Sequence, residues 1–374
     1  MALFKKKSLF SLLTALLFLL ASSAPGVEQS QASAATNSQA LSKEKAKSKK
    51  IKKKKTLRKS SPSKKKKRRA AASKTPVSVR KNRPSPGTPI KPLTLNSNGS
   101  LQNLVENEIL YLRAIKHLQS GDEVSLQIYD LSEKKMLVDI NGTITRNAAS
   151  LIKPFVMLTV YDQISRQELP ETPELEHQME RMIAVSDNQA TNQLIRRLGQ
   201  GNTVQGFVAI NVLLRKLGFH QTKVKELIPD GGRTYLNQTS AADATLFFSL
   251  LYEQKLVSPH FSQKMNEILL KNVHDRIETY QIKQDGAAVA DKTGYVRGLN
   301  ADCGIVYQKN QPGGHDYVLS VFIENKAKPG EGWGKRKSTV IRYLSDRIYQ
   351  NLKKTAAVSL SALPRLSSHR PGPE

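Results

Sequence analysis

A chain of 374 residues with 59 Lys and Arg against 31 Asp and Glu carries a formal charge of +28, a balance that taken whole suggests a nucleic-acid or membrane-surface protein. Its distribution excludes that reading for the fold itself: residues 1–92 hold 25 Lys or Arg and 2 Glu, so +23 belongs to one arm and only +5 to the other 282 residues. The single cysteine, Cys303, excludes an intrachain disulfide, and seven scattered His without HExxH or paired spacing give no case for a metal or other cofactor.

The arm comes first in the chain. Lys5-Lys6-Lys7 precedes an apolar run at residues 9–20, and the small residues Ala21-Ser22-Ser23-Ala24 follow before Pro25. This is the order of a secretory signal peptide, and the run is shorter than the roughly 20 apolar residues of a spanning helix. Residues 1–24 are expected to be a signal and the protein to be exported, to a periplasm or the extracellular space; left uncleaved, the same run would anchor it to the envelope. Residues 25–98 read as a disordered Lys-rich and Pro-rich linker. Between 43 and 69 there are 17 Lys or Arg and one Glu, a block that repels itself and buries nothing. It is either a solvated spacer or an adhesive for an anionic envelope surface, and the export signal weighs against nucleic acid.

Residues 99–356 have the pattern of a folded domain, with 357–374 as a disordered tail. Leu101, Leu104, Val105, Ile109, Leu112, Ile115 and Leu118 recur at spacings of three and four, which predicts a helix. Alternation at 124–128 and an apolar stretch at 136–140, joined by Leu131-Ser132-Glu133-Lys134, predict a β-hairpin. A run free of breakers after Pro154 predicts a helix from Ser150 to about Gln167, with the proline tolerated in its first turn. Residues 174–252 are mostly helical in pattern. Strands follow at 288–292, 303–307 and 317–323, the middle one burying Cys303 as a small hydrophobe. A last helix spans about 337–352. The order specifies an α+β fold: an antiparallel sheet flanked by helices, an all-helical lobe, and a site at their junction.

Three motifs lie in that domain. Ser-x-x-Lys occurs six times in the chain, but only Ser150-Leu151-Ile152-Lys153 opens an apolar helix, where positions i and i+3 share a face and Lys153 can bring its amine to the Ser150 hydroxyl. A serine hydroxyl needs such a base, and the helix N-terminus adds amide donors and a positive dipole end. Ser186-Asp187-Asn188 falls at a turn between helices, where Asp187 suits a cap. Lys292-Thr293-Gly294 ends a strand whose edge suits an antiparallel substrate, with Gly294 allowing close approach of backbone.

In this order the three motifs resemble those of the class A β-lactamase-like serine hydrolases and penicillin-binding proteins, over roughly residues 100–353. The resemblance implies Ser150 as nucleophile, Lys153 as its base with its pKa lowered by Lys292, Ser186 as proton relay to the leaving nitrogen, and Asn188 as positioner of lysine and substrate. It implies Lys292 and Thr293 as the grip on a substrate carboxylate, and the amides of Ser150 and Tyr295 as oxyanion hole. Arg297 is a candidate second carboxylate partner. Two departures stand out. The segment between Ser150 and Ser186 is short, and the glutamate of the family's ExxLN pattern is replaced in Arg233-Thr234-Tyr235-Leu236-Asn237. Glu226, a little upstream, is the remaining carboxylate for activating water. The expected function is an exported hydrolase opening a β-lactam amide through a Ser150 acyl-enzyme. The alternatives are a D-alanyl peptidase of cell-wall metabolism, for which Arg233 argues, and a non-catalytic module binding the envelope through residues 43–69. The oligomeric state is not encoded in these patterns.

Overall fold

The computed structural model describes residues 100–308, 314–327 and 329–361. The expected signal, the linker with its basic block, and tail residues 362–374 lie outside the described residues. The first element is helix α1 (Leu101–Ala114), which starts where the Ser100 hydroxyl accepts the Asn103 amide. Strands β1 (Glu123–Asp130) and β2 (Lys135–Ile140) form the expected hairpin. A two-residue strand β3 (Arg146–Asn147) leads into a 3-10 turn at Ala149–Ile152 and then α2 (Lys153–Ser165).

Helices α3 (Pro173–Ala184), α4 (Asn188–Leu198) and α5 (Thr203–Lys216) build the helical lobe. A short strand β4 (Gln238–Thr239) pairs antiparallel with β3. Helices α6 (Ala241–Tyr252), α7 (Pro259–Leu269) and α8 (Tyr280–Gln284) follow. The chain then returns to the sheet as β5 (Ala288–Val296), β6 (Leu299–Tyr307) and β7 (Tyr317–Glu324), before α9 (Trp333–Ser361). The five-stranded sheet is antiparallel with order β2-β1-β7-β6-β5, so β5 is an edge strand.

Strand β7 is buried on both faces and reads as a near-continuous apolar run, whereas β1 alternates Val124, Leu126 and Ile128 with polar residues and β2 is largely exposed. In β7, Val318 and Phe322 face the helical lobe, whereas Tyr317, Leu319, Val321 and Ile323 face α1 and α9. Helix α2 runs through the lobe with every residue from Lys153 to Tyr161 buried, the behaviour of a helix apolar all round. Phe155 on α2 meets the rings of Phe219 and Phe247 edge-on at 5.2 and 5.3 Å. Each such ring fully buried contributes about 1.5–3 kcal/mol.

The α+β architecture of sheet and helical lobe is the one the sequence predicts. Differences lie in details that short polar segments conceal. Ser150 belongs to a 3-10 turn ahead of α2, and α9 reaches Ser361, past the boundary at 356. The pairing of Arg146 with Thr239 and of Asn147 with Gln238 leaves no periodic trace. It matters most, because it ties the lead-in of Ser150 to the far side of the cleft.

Candidate active site

Ser150 is set up by a turn held under strain. Ala149 has φ 44° and Ser186 has φ 57°, left-handed conformations that cost an L-residue about 1–2 kcal/mol and persist only where neighbours enforce them. The Ala149 amide donates to Asn147 Oδ1 at 2.7 Å, the Ala148 amide to the Asn237 carbonyl at 2.8 Å, and Asn147 Nδ2 to the Thr234 carbonyl at 3.2 Å. Beneath them Arg146 is buried against Ser125, Glu123 and Glu324. The turn is thus sewn to the 234–237 loop on one side and to the sheet on the other.

Lys153 is fully buried, and its Nζ has three neighbours: the Ser186 carbonyl at 2.6 Å, Ser186 Oγ at 3.0 Å and Asn188 Oδ1 at 2.9 Å. Ser186 Oγ in turn lies 3.0 Å from Ser150 Oγ. The direct Lys153–Ser150 approach expected from i,i+3 spacing is therefore corrected: the Ser186 hydroxyl stands between them. Burial, and then the charge of Lys292, push the Lys153 ammonium well below its ordinary pKa against the pull of Asp187. Two of the three neighbours are carbonyl-type oxygens that only accept, while the third is a hydroxyl that rotates. That set suits a neutral amine, which has two N–H groups and one lone pair. Asp187 caps α4 through the Ala190 amide and pairs with Arg181.

Against the Ser150 turn lies the edge strand β5. A Cβ on Gly294 would lie 3.0 Å from Leu151 Cγ and 3.3 Å from the Ala148 carbonyl, so a side chain there would crowd the turn of the nucleophile and glycine lets the strand lie close against it. Thr293 and Tyr295 line the cleft of about 340 Å³ that contains Ser150, Ser186 and Asn188. Lys292 is fully buried behind them, and burial draws its pKa down to about 8 against the pull of Asp291 and Asp302.

Arg297 is a second correction. It sits on the turn after β5, donates to the Pro329 carbonyl at 3.2 Å, and borders a separate cavity with Gly298 and Glu324. The guanidinium on the Ser150 cleft is Arg276. Its Nε donates to Ser338 Oγ at 3.1 Å and its Nη1 to the Ala301 carbonyl at 3.4 Å. No motif or periodicity points to it, since Arg276 lies in an irregular segment between α7 and α8.

The last wall is the 222–237 loop. Glu226 faces that loop and not Ser150: Oε1 accepts from Thr234 Oγ1 at 2.6 Å and from the amides of Tyr235 and Leu236 at 2.6 and 2.8 Å. Burial alone would raise its pKa, but the Leu236, Thr234 and Tyr235 hydrogen bonds win and hold the carboxylate ionised. Arg233 is exposed and does not border the cleft. Ile228 and Thr234 do, and the Ile228 carbonyl and amide are both gripped at 2.8 Å by Asn192, one helical turn after Asn188. Gly232, at φ +71°, brings the loop against Asn188, where a Cβ would meet Nδ2 at 3.2 Å. No Asp or Glu is among the described residues lining the cleft.

Residues 109–352 match the β-lactamase enzyme family. Among solved structures, PBP-A is similar with TM-score 0.56 and 23% identity over 70% of this chain and all of that one; a mutant of it was solved as an acyl-enzyme with penicillin G at TM-score 0.55 and 22% identity, with the same coverage. A β-lactamase from Sphaerobacter thermophilus is similar at TM-score 0.54 and 22% identity, over 68% of this chain and 97% of that one. No curated protein sequence matches the chain.

Proposed function

The chain belongs to the β-lactamase enzyme family, and we propose that it is a serine acyl hydrolase whose Ser150 is acylated by a carboxylate-bearing amide and then releases the acyl group slowly. The substrate class is a β-lactam or a D-alanyl-type cell-wall peptide. One observation carries the reading: the Ser186 hydroxyl is 3.0 Å from both Ser150 Oγ and Lys153 Nζ. As Ser150 Oγ attacks the carbonyl, its proton passes to Ser186 Oγ while the Ser186 proton passes to the neutral Lys153 amine. When the tetrahedral intermediate collapses, the same relay delivers a proton to the departing nitrogen, and the C–N bond breaks. The amides of Ser150 and Tyr295 would receive the oxyanion, and Lys292, Thr293 and Arg276 would hold the carboxylate.

Slow release is supported by Ile228, which places an apolar side chain on the cleft while Glu226 is engaged by three donors elsewhere. Among the described residues lining the cleft there is no carboxylate to activate water. The test is covalent labelling with a fluorescent penicillin, located by mass spectrometry. The wild type is expected to label at Ser150 and keep the label for hours, and Ser150→Ala is expected not to label. Loss of the label within seconds would replace this reading with efficient β-lactam hydrolysis. Failure to label would remove both substrates and leave the non-catalytic envelope module.

We also propose export, supported by the charge and hydropathy order of residues 1–24, and adhesion of the basic block at 43–69 to an anionic envelope surface. Fractionation with mass spectrometry of the mature N-terminus tests the first. Loss of envelope retention on deleting residues 43–69 tests the second.

A further inference from the structure

The cleft continues past Arg276. His274 and Arg276 border it on one side, and on the other they border a second cavity of about 240 Å³, completed by Val273, Asp275, Ser338 and Arg342. The proposed chemistry uses nothing in that cavity beyond Arg276 itself. Its ionisable groups are two guanidiniums, an imidazole and one carboxylate. The carboxylate, Asp275, is already engaged: Oδ2 pairs with Lys283 at 3.1 Å, and Oδ1 lies 3.8 Å from Arg342 Nη2. Arg276 spends Nε on Ser338 and Nη1 on the Ala301 carbonyl, and its Nη2 has no acceptor among the described residues. Arg342 spends Nη2 on the Asp275 carbonyl at 2.7 Å, which leaves its Nε and Nη1 without an acceptor among the described residues.

In a β-lactam and in a D-alanyl peptide alike, the carboxylate sits one carbon from the nitrogen that departs. Once Lys292, Thr293 and Arg276 hold that carboxylate, the group that meets the second cavity is the side chain of the leaving residue. The cavity offers that side chain an apolar stretch and then positive charge. Val273 is 62% exposed, and its amide donates to the Ala184 carbonyl at 3.0 Å, so it flanks the turn that carries Ser186. Arg276 rests on Ser338, and Arg342 follows one helical turn later, about 6 Å further along α9. An extended chain covers about 3.5 Å for every three bonds, so that separation corresponds to roughly five bonds.

We propose that this cavity is a subsite for a second carboxylate, and that the residue expelled when Ser150 is acylated is a 2-aminodicarboxylic acid of glutamate or aminoadipate length. This rests on the acyl-transfer reading of Ser150 and narrows its substrate to a peptide whose leaving residue ends in a second anion. The bond broken is the amide between the acyl carbon, which passes to Ser150 Oγ, and the nitrogen of that residue, which departs as an amine with the proton supplied through Ser186. Val273 covers the methylene groups, and Arg342 with the unengaged edge of Arg276 takes the distal carboxylate. Burial works against the Arg276 guanidinium, Asp302 supports it, and the nearby Arg342 adds like charge. An anion between the two arginines relieves that repulsion. A leaving residue with one carboxylate makes no use of Arg342.

Leaving residues of similar length separate charge from size. With the full-length chain, N-acylated D-alanyl dipeptides ending in D-2-aminoadipate, neutral D-norleucine and cationic D-lysine are compared. The kcat/KM for D-2-aminoadipate should exceed that for D-norleucine by roughly 5- to 20-fold, the effect of a charge-assisted hydrogen bond discounted for a half-exposed guanidinium. D-lysine should be the poorest of the three. Arg342→Gln should bring the ratio of D-2-aminoadipate to D-norleucine close to one, and Arg342→Lys should restore part of it. A variant with a disturbed fold would instead lower both substrates together and keep the ratio. Calorimetric titration of Ser150→Ala with the same dipeptides reads binding without chemistry, and the dissociation constants should follow the same order. Penicillin labelling of the wild type reports on acylation separately. If the label forms but the three dipeptides are bound alike or not at all, the subsite is overturned and the acyl-transfer reading stands. If the label does not form but Ser150→Ala still ranks D-2-aminoadipate first, the subsite stands and the chemistry fails. A preference for D-lysine would overturn the proposal by assigning the cavity to Asp275.

Discussion

The two walls of the cleft are built differently. The wall formed by the Ser150 turn, α2, the start of α4 and the edge of β5 is dense with buried polar groups, each with a function-like partner: Lys153 on Ser186 and Asn188, Ser186 on Ser150, Lys292 behind Thr293. The 222–237 wall has polar groups too, but they are spent on its own shape. Asn237, Thr234 and Glu226 bond to one another and to loop amides, and what the wall shows to the cleft is Ile228, Gly231, Gly232 and Thr234, none of them ionisable. Buried ionisable groups are costly unless paired. The first wall carries that cost at the place where a base and an anion clamp would need it, and the second avoids it. In the proposed chemistry, forming an acyl-enzyme and clearing it would thereby be separable properties of one site.

The largest expected effects break the first wall. Ser150→Ala should lower acylation by about 10⁶-fold, the scale of losing a nucleophile outright, read as loss of covalent penicillin. Lys153→Met should lower it by roughly 10²–10⁴-fold, the worth of a positioned base. The pH profile of acylation should be bounded on both sides. Lys153 must be neutral, so activity falls at acid pH as its depressed pKa is crossed. Lys292 must be protonated, so activity falls again as pH rises through about 8. A profile that keeps rising above pH 9 would remove Lys292 from the clamp.

The second wall offers the inverse experiment. Ile228→Glu puts a carboxylate where the cleft has none, and the lifetime of the penicilloyl label should shorten by about 10²-fold or more with the acylation rate little changed. Glu226→Gln should leave that lifetime alone and lower stability by about 1–3 kcal/mol, because a carboxylate that accepts three hydrogen bonds is replaced by a weaker acceptor. The stabilising effect of Glu226 has a pH signature of matching sign. Its folded pKa is depressed, so its contribution is present above the unfolded value and is lost as pH falls through the folded one.

The sequence carried the first wall well and the second badly, for a physical reason. Ser150, Lys153, Ser186, Asn188, Lys292 and Gly294 lie on or at the ends of regular elements, where spacing converts into geometry. Tyr295 follows them because β5 continues past the motif to Val296. The 222–237 loop has no period. The reading that set Arg233 against a glutamate position rested on Leu236-Asn237 alone, whereas Asn192, four residues after Asn188, is what grips Ile228. That i,i+4 pair of asparagines on one helix face was visible in the chain and could have located the position. Arg276 was hidden differently, since its place depends on Asp302 and Ser338, 26 and 62 residues downstream.

The smallest expected effect is also the cleanest contrast, because it sets two arginines against each other. Arg276 borders the cleft and is held by Ser338 and by the Ala301 carbonyl, with Asp302 fixing its backbone. Arg297 borders another cavity, and its Nε is engaged by Pro329. A charge-assisted hydrogen bond to a carboxylate contributes about 1.5–3 kcal/mol, so Arg276→Gln should weaken the concentration dependence of acylation by roughly 10- to 150-fold while the limiting rate changes less. Arg297→Gln is a surface change of the kind that stays within about 0.5 kcal/mol, and should shift the same constant by about twofold at most. A penicillin analogue lacking its carboxylate sharpens the comparison, since it should erase the difference between wild type and Arg276→Gln. If Arg297→Gln instead gave the larger effect, the substrate carboxylate would have to reach past Tyr295 toward the β5–β6 turn, and the clamp assigned to Lys292, Thr293 and Arg276 would be misplaced.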